Sequence, residues 1–450
     1  MRVLFEQELP LPPGHSLKSE TSRSGLRTAS LKLADGKVIN LHSRYDPMQE
    51  GTQLVKDTGE ENSFIVLGFG LGYHVDALVK KIPPEQIATS ILIIEPNAWM
   101  LQFALKNRDI SHLLSDSRIT WCIGLPQEEI GTIWQQELEW SRLSGVKIIE
   151  HPPSSVFNSV YFKQVKEKII VISRRSKGNL ATLMTMGDEF QRNSFENLPF
   201  LCCCPGMIEL FDRFKGHPII VVAAGPSLEK NVHLLNEIKG RVLILAVDTA
   251  FRQLVAHGIR PDIVAAADPS YENSLDFVGV ENEREVILAA EIMTHPTIFQ
   301  FFKGPKCVLS FGGGLMPWAK AFIEPKGIIQ CWGSIATTIF DIARKLGGDP
   351  IIFLGLDLAF QDGLLHARGS YSDDVLFEQL HQYTSLEHQI TSYINTRGAV
   401  KSVNYLGETL YTDKSMQLYK EWFEDQFQQT SQRVVNASEG GIVDRNVIRM

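Results

Sequence analysis

The sequence predicts an α/β chain carrying two Rossmann-like units, each with a mostly parallel, doubly wound sheet, joined by a helical linker. Short apolar runs alternate with amphipathic stretches at the rhythm of βαβ units, and glycines stand where strand signals give way to helix signals. A long charged helical stretch without strand signals separates two such series. The 450 residues exceed one compact core, and 44% hydrophobic with 21% charged residues is the composition of an ordinary globular protein.

Residues 1 to about 60 are polar and turn-rich, with Pro10, Pro12, Pro13 and the stretch SETSRSG, and read as short strands or hairpins. Glu6, Glu8 and the prolines interrupt the apolar stretch that a secretory leader needs. The longest apolar runs, such as 219–224 and 286–290, fall far short of the roughly 20 residues of a membrane span. A cytoplasmic protein without membrane contact is expected. The first unit opens with the apolar run 64–67, a strand buried on both faces. Gly68, Gly70 and Gly72 form its turn, 73–81 has helical spacing, and further strands are expected at 90–94, 119–123 and 146–149.

Helical, charged sequence from Pro152 to Asn197 marks the linker, giving domains 1–151, 152–197 and 198–450. The second unit begins with a strand at 218–224, a turn at Gly225-Pro226 and a helix at 227–238 closed by Gly240. Two apolar strands ending in Asp248 and Asp268 follow, with a short helix at 251–257 between them. REVILAAE and KCVLSFGG continue the strand count, SIATTIFDIARKLGG reads as an amphipathic helix, and PIIFLGLDLAF as a further strand.

A formal charge of -8, from 44 basic and 52 acidic residues, argues against a general electrostatic grip on nucleic acid or anionic membrane. The six cysteines, Cys122, Cys202, Cys203, Cys204, Cys307 and Cys331, include no C-x-x-C pair. They read as reduced residues rather than a zinc site or disulfide framework.

In an open parallel sheet, ligands bind outside the carboxyl ends of the strands at a topological switch point. The second unit places Gly225-Pro226-Ser227, Asp248, Asp268, Glu291 and Gly355-Leu356-Asp357 at such ends. A glycine turn before a helix offers backbone N–H groups and the positive end of the helix dipole to a phosphate. Gly333-Ser334 repeats that device ahead of the helix from Ile335. The set describes a site for a nucleotide, its sugar hydroxyls and a divalent metal, the metal being left open. The plainer alternative is that the serines only cap helices and the aspartates only end strands.

AAGPSL at 223–228, DTAFRQL at 248–254, GIRPDIVAAADPS at 258–270, GSIAT at 333–337, GLDLAFQDGLLHARG at 355–369 and NASEGG at 436–441 occur in that order, preceded by Phe195-Glu196-Asn197-Leu198. This series resembles the successive motifs of the motility accessory factors, bacterial proteins implicated in attaching nonulosonic, sialic-acid-like sugars to flagellin. The resemblance covers about 250 residues. It implies a sialyltransferase-like catalytic unit, related also to the archaeal-type 6-hydroxymethylpterin diphosphokinase. Two chemistries follow: sugar transfer from a CMP donor to a flagellin serine or threonine, and diphosphoryl transfer from ATP to a pterin-like alcohol. A non-catalytic, flagellin-binding assembly factor is a third. The implied partners are flagellin or another protein acceptor and a nucleotide-sugar, the CMP-sugar being substrate rather than cofactor.

In the first chemistry His366 would take the acceptor proton as general base, with Asp268 and Glu439 beside it. Gly225, Pro226, Ser227, Gly333 and Ser334 would hold phosphate. Asp248 and Asp357 would hold nucleotide or sugar hydroxyls, Arg368 a phosphate or the sugar carboxylate, and Asn436 and Gly440 would line the ligand. Many members of the family continue beyond NASEGG into a helical domain, whereas this sequence stops shortly after Gly441. Acceptor contacts from such a domain are therefore not expected here. In the first unit, Gly68, Gly70 and Gly72 with Glu95 at the end of the next strand resemble an S-adenosylmethionine loop whose acid binds ribose.

Overall fold

The computed structural model describes residues 9–59, 61–83, 89–138, 146–312, 314–361, 363–378, 380–404 and 406–449. Glu6 and Glu8, named against a secretory leader, lie outside them. Two compact units occupy residues 1–184 and 185–450. In the first, β1 (Ser16–Thr21), β2 (Arg27–Lys32) and β3 (Val38–Asn40) form an antiparallel sheet, the hairpins expected ahead of the first domain. After them, β4 (Ser63–Leu67), β5 (Ser90–Glu95), β6 (Ile119–Ile123) and β7 (Val146–Glu150) pair in parallel in the order β6-β5-β4-β7.

Side chains of one strand alternate between two cores. Phe64, Val66, Ile91 and Ile93 face one apolar cluster, while Ile65, Leu67, Leu92 and Ile94 face another. That is why the strands read as unbroken apolar runs. The linker sequence forms the helices Pro152–Phe157 and Ser159–Glu196, and the boundary between the compact units falls within the second.

The second unit is built on β8 (Ile219–Val222), β9 (Leu243–Val247), β10 (Ile263–Ala266), β11 (Ile287–Glu291), β12 (Lys306–Leu309) and β13 (Ile351–Leu354). An antiparallel pair, β14 (Val400–Val403) and β15 (Thr409–Thr412), stands apart, and β16 (Val434–Asn436) and β17 (Ile448–Arg449) return to the main sheet. Its order is β12-β11-β10-β9-β8-β13-β16-β17, every neighbouring pair parallel. The chain reverses direction across the sheet between β8 and β13, which makes their carboxyl ends the switch point.

Two helical expectations are corrected. The helix at 227–238 is instead Leu228–Asn231, a 3-10 turn Val232–Leu234 and Leu235–Ile238. Asn231 leaves the helical region at φ -132°, and its side-chain amide donates to Ala437 O at 2.8 Å. The helix placed at 251–257 starts earlier, at Asp248, and runs to Ala256.

Candidate functional site

The turns after β8 and β13 meet at the switch point, and they are closed on each other. Ser227 N–H donates to Asp357 Oδ2 at 2.7 Å, Ser227 Oγ donates to Oδ1 in a very short bond, and Gly225 N–H donates to Gly355 O at 2.8 Å. The carboxylate of Asp357 therefore sits where a phosphate was expected, and the helical segment that follows has only four residues. Asp357 is 1% exposed and Ser227 fully buried. Burial pushes the Asp357 carboxyl up, against the pull of its two bonds from Ser227. In this structure the turn of Gly225, Pro226 and Ser227 and the carboxylate of Asp357 hold each other in an internal clasp. Glycine is needed at 225 because a Cβ there would run into Gly355 O and the Asp357 carboxyl.

NASEGG closes the same clasp from the far side. Asn436 is fully buried; its amide donates to Val443 O at 3.1 Å and its Oδ1 accepts from Ser438 N–H at 3.0 Å. Ser438 Oγ accepts from Leu356 N–H at 2.8 Å. A Cβ on Gly440 would strike the Gln361 amide, and one on Gly441 the Asp357 backbone. Asn436 and Gly440 are thus packed within the chain.

On the β9–β11 side of the edge the structure gathers acids. Asp268 is exposed, and its Oδ1 accepts from Ser270 N–H at 2.8 Å and Ser270 Oγ at 2.6 Å. Ser270 Oγ caps the short helix Tyr271–Ser274 by accepting from Asn273 N–H, and the Asn273 amide donates to Asp248 Oδ2 at 2.9 Å. Asp248 is 2% exposed, and burial, with the charge of Asp276, pushes it up to about 7. Burial likewise raises Asp276 to about 6, although it accepts from Tyr371 N–H. Glu291 at the end of β11 is raised to about 7 by burial, opposed by the Met293 N–H bond. Carboxyls raised toward neutrality at a strand edge mark a candidate site.

The loops that carry this cluster are latched from behind. Asn193 donates to Pro269 O and Met293 O at 2.9 and 3.0 Å, and Asn197 to Ile292 O and Thr294 O at 2.9 and 2.8 Å. Asn197 of the Phe195-Glu196-Asn197-Leu198 signature thus clamps the loop after β11, and Asn193 just ahead of it ties in the loop after β10. Asp276, Asn273 and His295 escaped the sequence reading. His295 N–H donates to Asp268 O at 3.3 Å, and its ring meets Tyr271 edge-on at 5.4 Å.

The loop after β13 returns to the same edge: Ala367 N–H donates to Ala224 O at 2.7 Å and Tyr371 N–H reaches Asp276. It carries His366, whose Nδ1 lies 3.3 Å from Ser372 Oγ. Desolvation, helped by the Arg397 charge, lowers His366 to about 4 although the residue keeps part of its surface open to solvent. Arg368 is exposed, its backbone N–H bonded to Glu229 at 2.8 Å. Glu439 is exposed too, its backbone carbonyl accepting from Lys230. At the other helix start, Ser334 caps Ile335–Leu346 by accepting from Ala336 N–H, and exposed Gly333, at φ +76°, accepts from Tyr419 Oη at 2.7 Å. Ser334 is a cap first.

The glycine loop of the first unit is filled by its own chain. Glu95, fully buried, accepts from Phe69 N–H at 3.0 Å and from Asn97 N–H and Nδ2 at 3.0 and 3.1 Å. Burial raises its pKa. A Cβ at Gly68 would meet Ser154, at Gly70 the rings of His42 and His151, and at Gly72 the ring of Phe69. Glu95 thus holds the loop of Gly68, Gly70 and Gly72 itself, and side chains pack against the glycines.

Comparison with known proteins falls on this geometry. Residues 192–363 match the family described as "MptE-like: 6-hydroxymethylpterin diphosphokinase MptE-like". The whole architecture is similar to the "Structure of MAf glycosyltransferase from Magnetospirillum magneticum AMB-1", with a TM-score of 0.56 and 16% identity over 98% of this chain and 71% of that one. The resemblance to the motility accessory factors is met in the fold.

Three relatives from Treponema pallidum (strain Nichols), each described as "Uncharacterized protein", are 22%, 28% and 29% identical over 207, 207 and 138 residues. These alignments cover 44%, 43% and 27% of this chain. They span 67% of the first relative but only 34% and 33% of the other two.

Proposed function

We propose that the second unit is a glycosyltransferase that moves a nonulosonic, sialic-acid-like sugar from a CMP donor to a serine or threonine of flagellin. The observation that carries this reading is the convergence of Asp248, Asp268 and Asp276 at the carboxyl edge of the parallel sheet, two of them held near neutrality. Asp268, open to solvent, meets hydroxyls of the donor. The acceptor proton passes to a carboxylate of the cluster, whose pKa suits a base at neutral pH better than that of His366. Arg368 neutralises the departing phosphate, and Glu439 faces the acceptor. Support comes from the fold shared with a MAf glycosyltransferase and from the ordered motifs that build this edge.

The test is the intact mass of flagellin from a strain lacking this protein. Loss of a nonulosonate-sized mass is expected, and an unchanged flagellin mass overturns the reading. The acid cluster also favours a second reading, an ATP-dependent diphosphokinase on a pterin-like alcohol. Clustered carboxylates are the hard oxygen donors that Mg²⁺ prefers, and the MptE-like match at 192–363 contains all three aspartates. Mg²⁺-dependent release of AMP with such an alcohol, lost in Asp268→Asn, would establish it in place of the first.

A further inference from the structure

We propose that the first unit binds a divalent transition-metal ion, Zn²⁺ by its chemistry, between His42, His74 and His151. Each of these buried residues offers one ring nitrogen, and the three nitrogens lie within 4.8 Å of one another. They come from three separate segments: His42 follows β3, His74 lies in the helix Tyr73–Lys81 after the β4 turn, and His151 follows β7. The site therefore stands at the carboxyl ends of β4 and β7, the point where the order β6-β5-β4-β7 changes direction.

The hydrogen bonds of the three rings fix which nitrogens carry hydrogen. His42 Nδ1 is bonded to Glu50 Oε2 at 3.1 Å, His74 Nε2 to Gly68 O at 3.0 Å and His151 Nε2 to Leu41 O at 2.7 Å. A carbonyl or carboxylate oxygen only accepts, so these three nitrogens carry the hydrogens. That leaves His42 Nε2, His74 Nδ1 and His151 Nδ1 with lone pairs. One ring N–H on a carboxylate or backbone carbonyl and the opposite nitrogen bare is the outer-shell pattern of metal-bound histidine.

Two of the lone pairs are engaged in the protein, by Leu71 N–H at 2.9 Å from His42 Nε2 and Ser154 Oγ at 2.7 Å from His151 Nδ1. The third, His74 Nδ1, is buried and has no partner. An unpaired polar atom in such a place is costly, and a metal ion repays it. Gly70 packs against the same rings: a Cβ there would come within 2.7 Å of His42 Nε2 and His151 Cε1, so only glycine fits beside them. Three neutral imidazoles with no thiolate or carboxylate on the metal suit Zn²⁺, and Ser154 Oγ or water completes four-coordination. The ion ties the end of β3 and the turns after β4 and β7 into one clasp.

The full chain, stripped with a chelator, is loaded with Zn²⁺ or Co²⁺ and passed into metal-free buffer. About one metal per chain is expected to remain, with a higher unfolding temperature than the stripped protein. Co²⁺ should give visible d–d bands without thiolate charge-transfer absorption. His74→Phe, which keeps the ring volume, should lose the metal, and replacing Cys202, Cys203 and Cys204 by serine should not. Wild-type protein that retains no metal overturns the proposal, as do thiolate bands in the Co²⁺ spectrum, whether or not His74→Phe folds.

Discussion

Asp248→Asn should stabilise the second unit much more at pH 8 than at pH 5. The carboxyl is 2% exposed, and burial together with Asp276 raises its pKa from 3.8 to about 7. At about 1.36 kcal/mol per pH unit, ionising it inside the fold costs up to about 4 kcal/mol. Because the folded pKa lies above the unfolded one, the contribution to stability is full below pH 3.8 and is lost as pH rises through about 7. Asp276 and Glu291, raised to about 6 and about 7, act in the same direction. The asparagine cannot ionise, and the buried Asn273 Oδ1, which lacks a partner, can turn to accept from the new amide. Urea unfolding at pH 5 and pH 8 reads the difference. A gain of up to about 4 kcal/mol at pH 8 that falls by about 2.5 kcal/mol at pH 5 is expected, because the unfolded carboxyl is still largely ionised at pH 5. An equal effect at both pH values would refute the reasoning, because it would show that Asp248 does not titrate with folding.

Asp357→Ala should cost about 3 kcal/mol in urea unfolding, since it strands the buried N–H and Oγ of Ser227; a near-neutral effect would return Asp357 to the ligand-binding set. Asp268→Asn, at an exposed position, should leave the unfolding midpoint unchanged while abolishing transfer, and retained transfer would remove Asp268 from the site. Ser334→Ala should cost about 1 kcal/mol through loss of the cap on Ile335–Leu346, measured by the same unfolding curves, with nucleotide binding preserved.

The strands were legible because both faces of each parallel sheet are covered, so β4, β5, β8 and β10 appear as short unbroken apolar runs. β16 and β17, of three and two residues, carry too little pattern to be read. Asp248 and Asp268 were legible as strand ends. Asp276 was not, because it sits in the 3-10 turn Leu275–Phe277 and reaches the cluster only by tertiary packing. A glycine turn reads the same whether its N–H groups face a ligand or an internal carboxylate, and only the fold reveals that Asp357 and Glu95 fill those places. Neither periodicity nor spacing could bring His42, His74 and His151 together.

Calorimetric titration of the purified chain with CMP and with ATP, each with and without Mg²⁺, puts the strand-edge site to the most direct trial. Saturable binding of CMP in preference to ATP, abolished by Asp268→Asn, is the predicted result. ATP binding as tight or tighter, or CMP binding indifferent to Asp268, would contradict the transferase account.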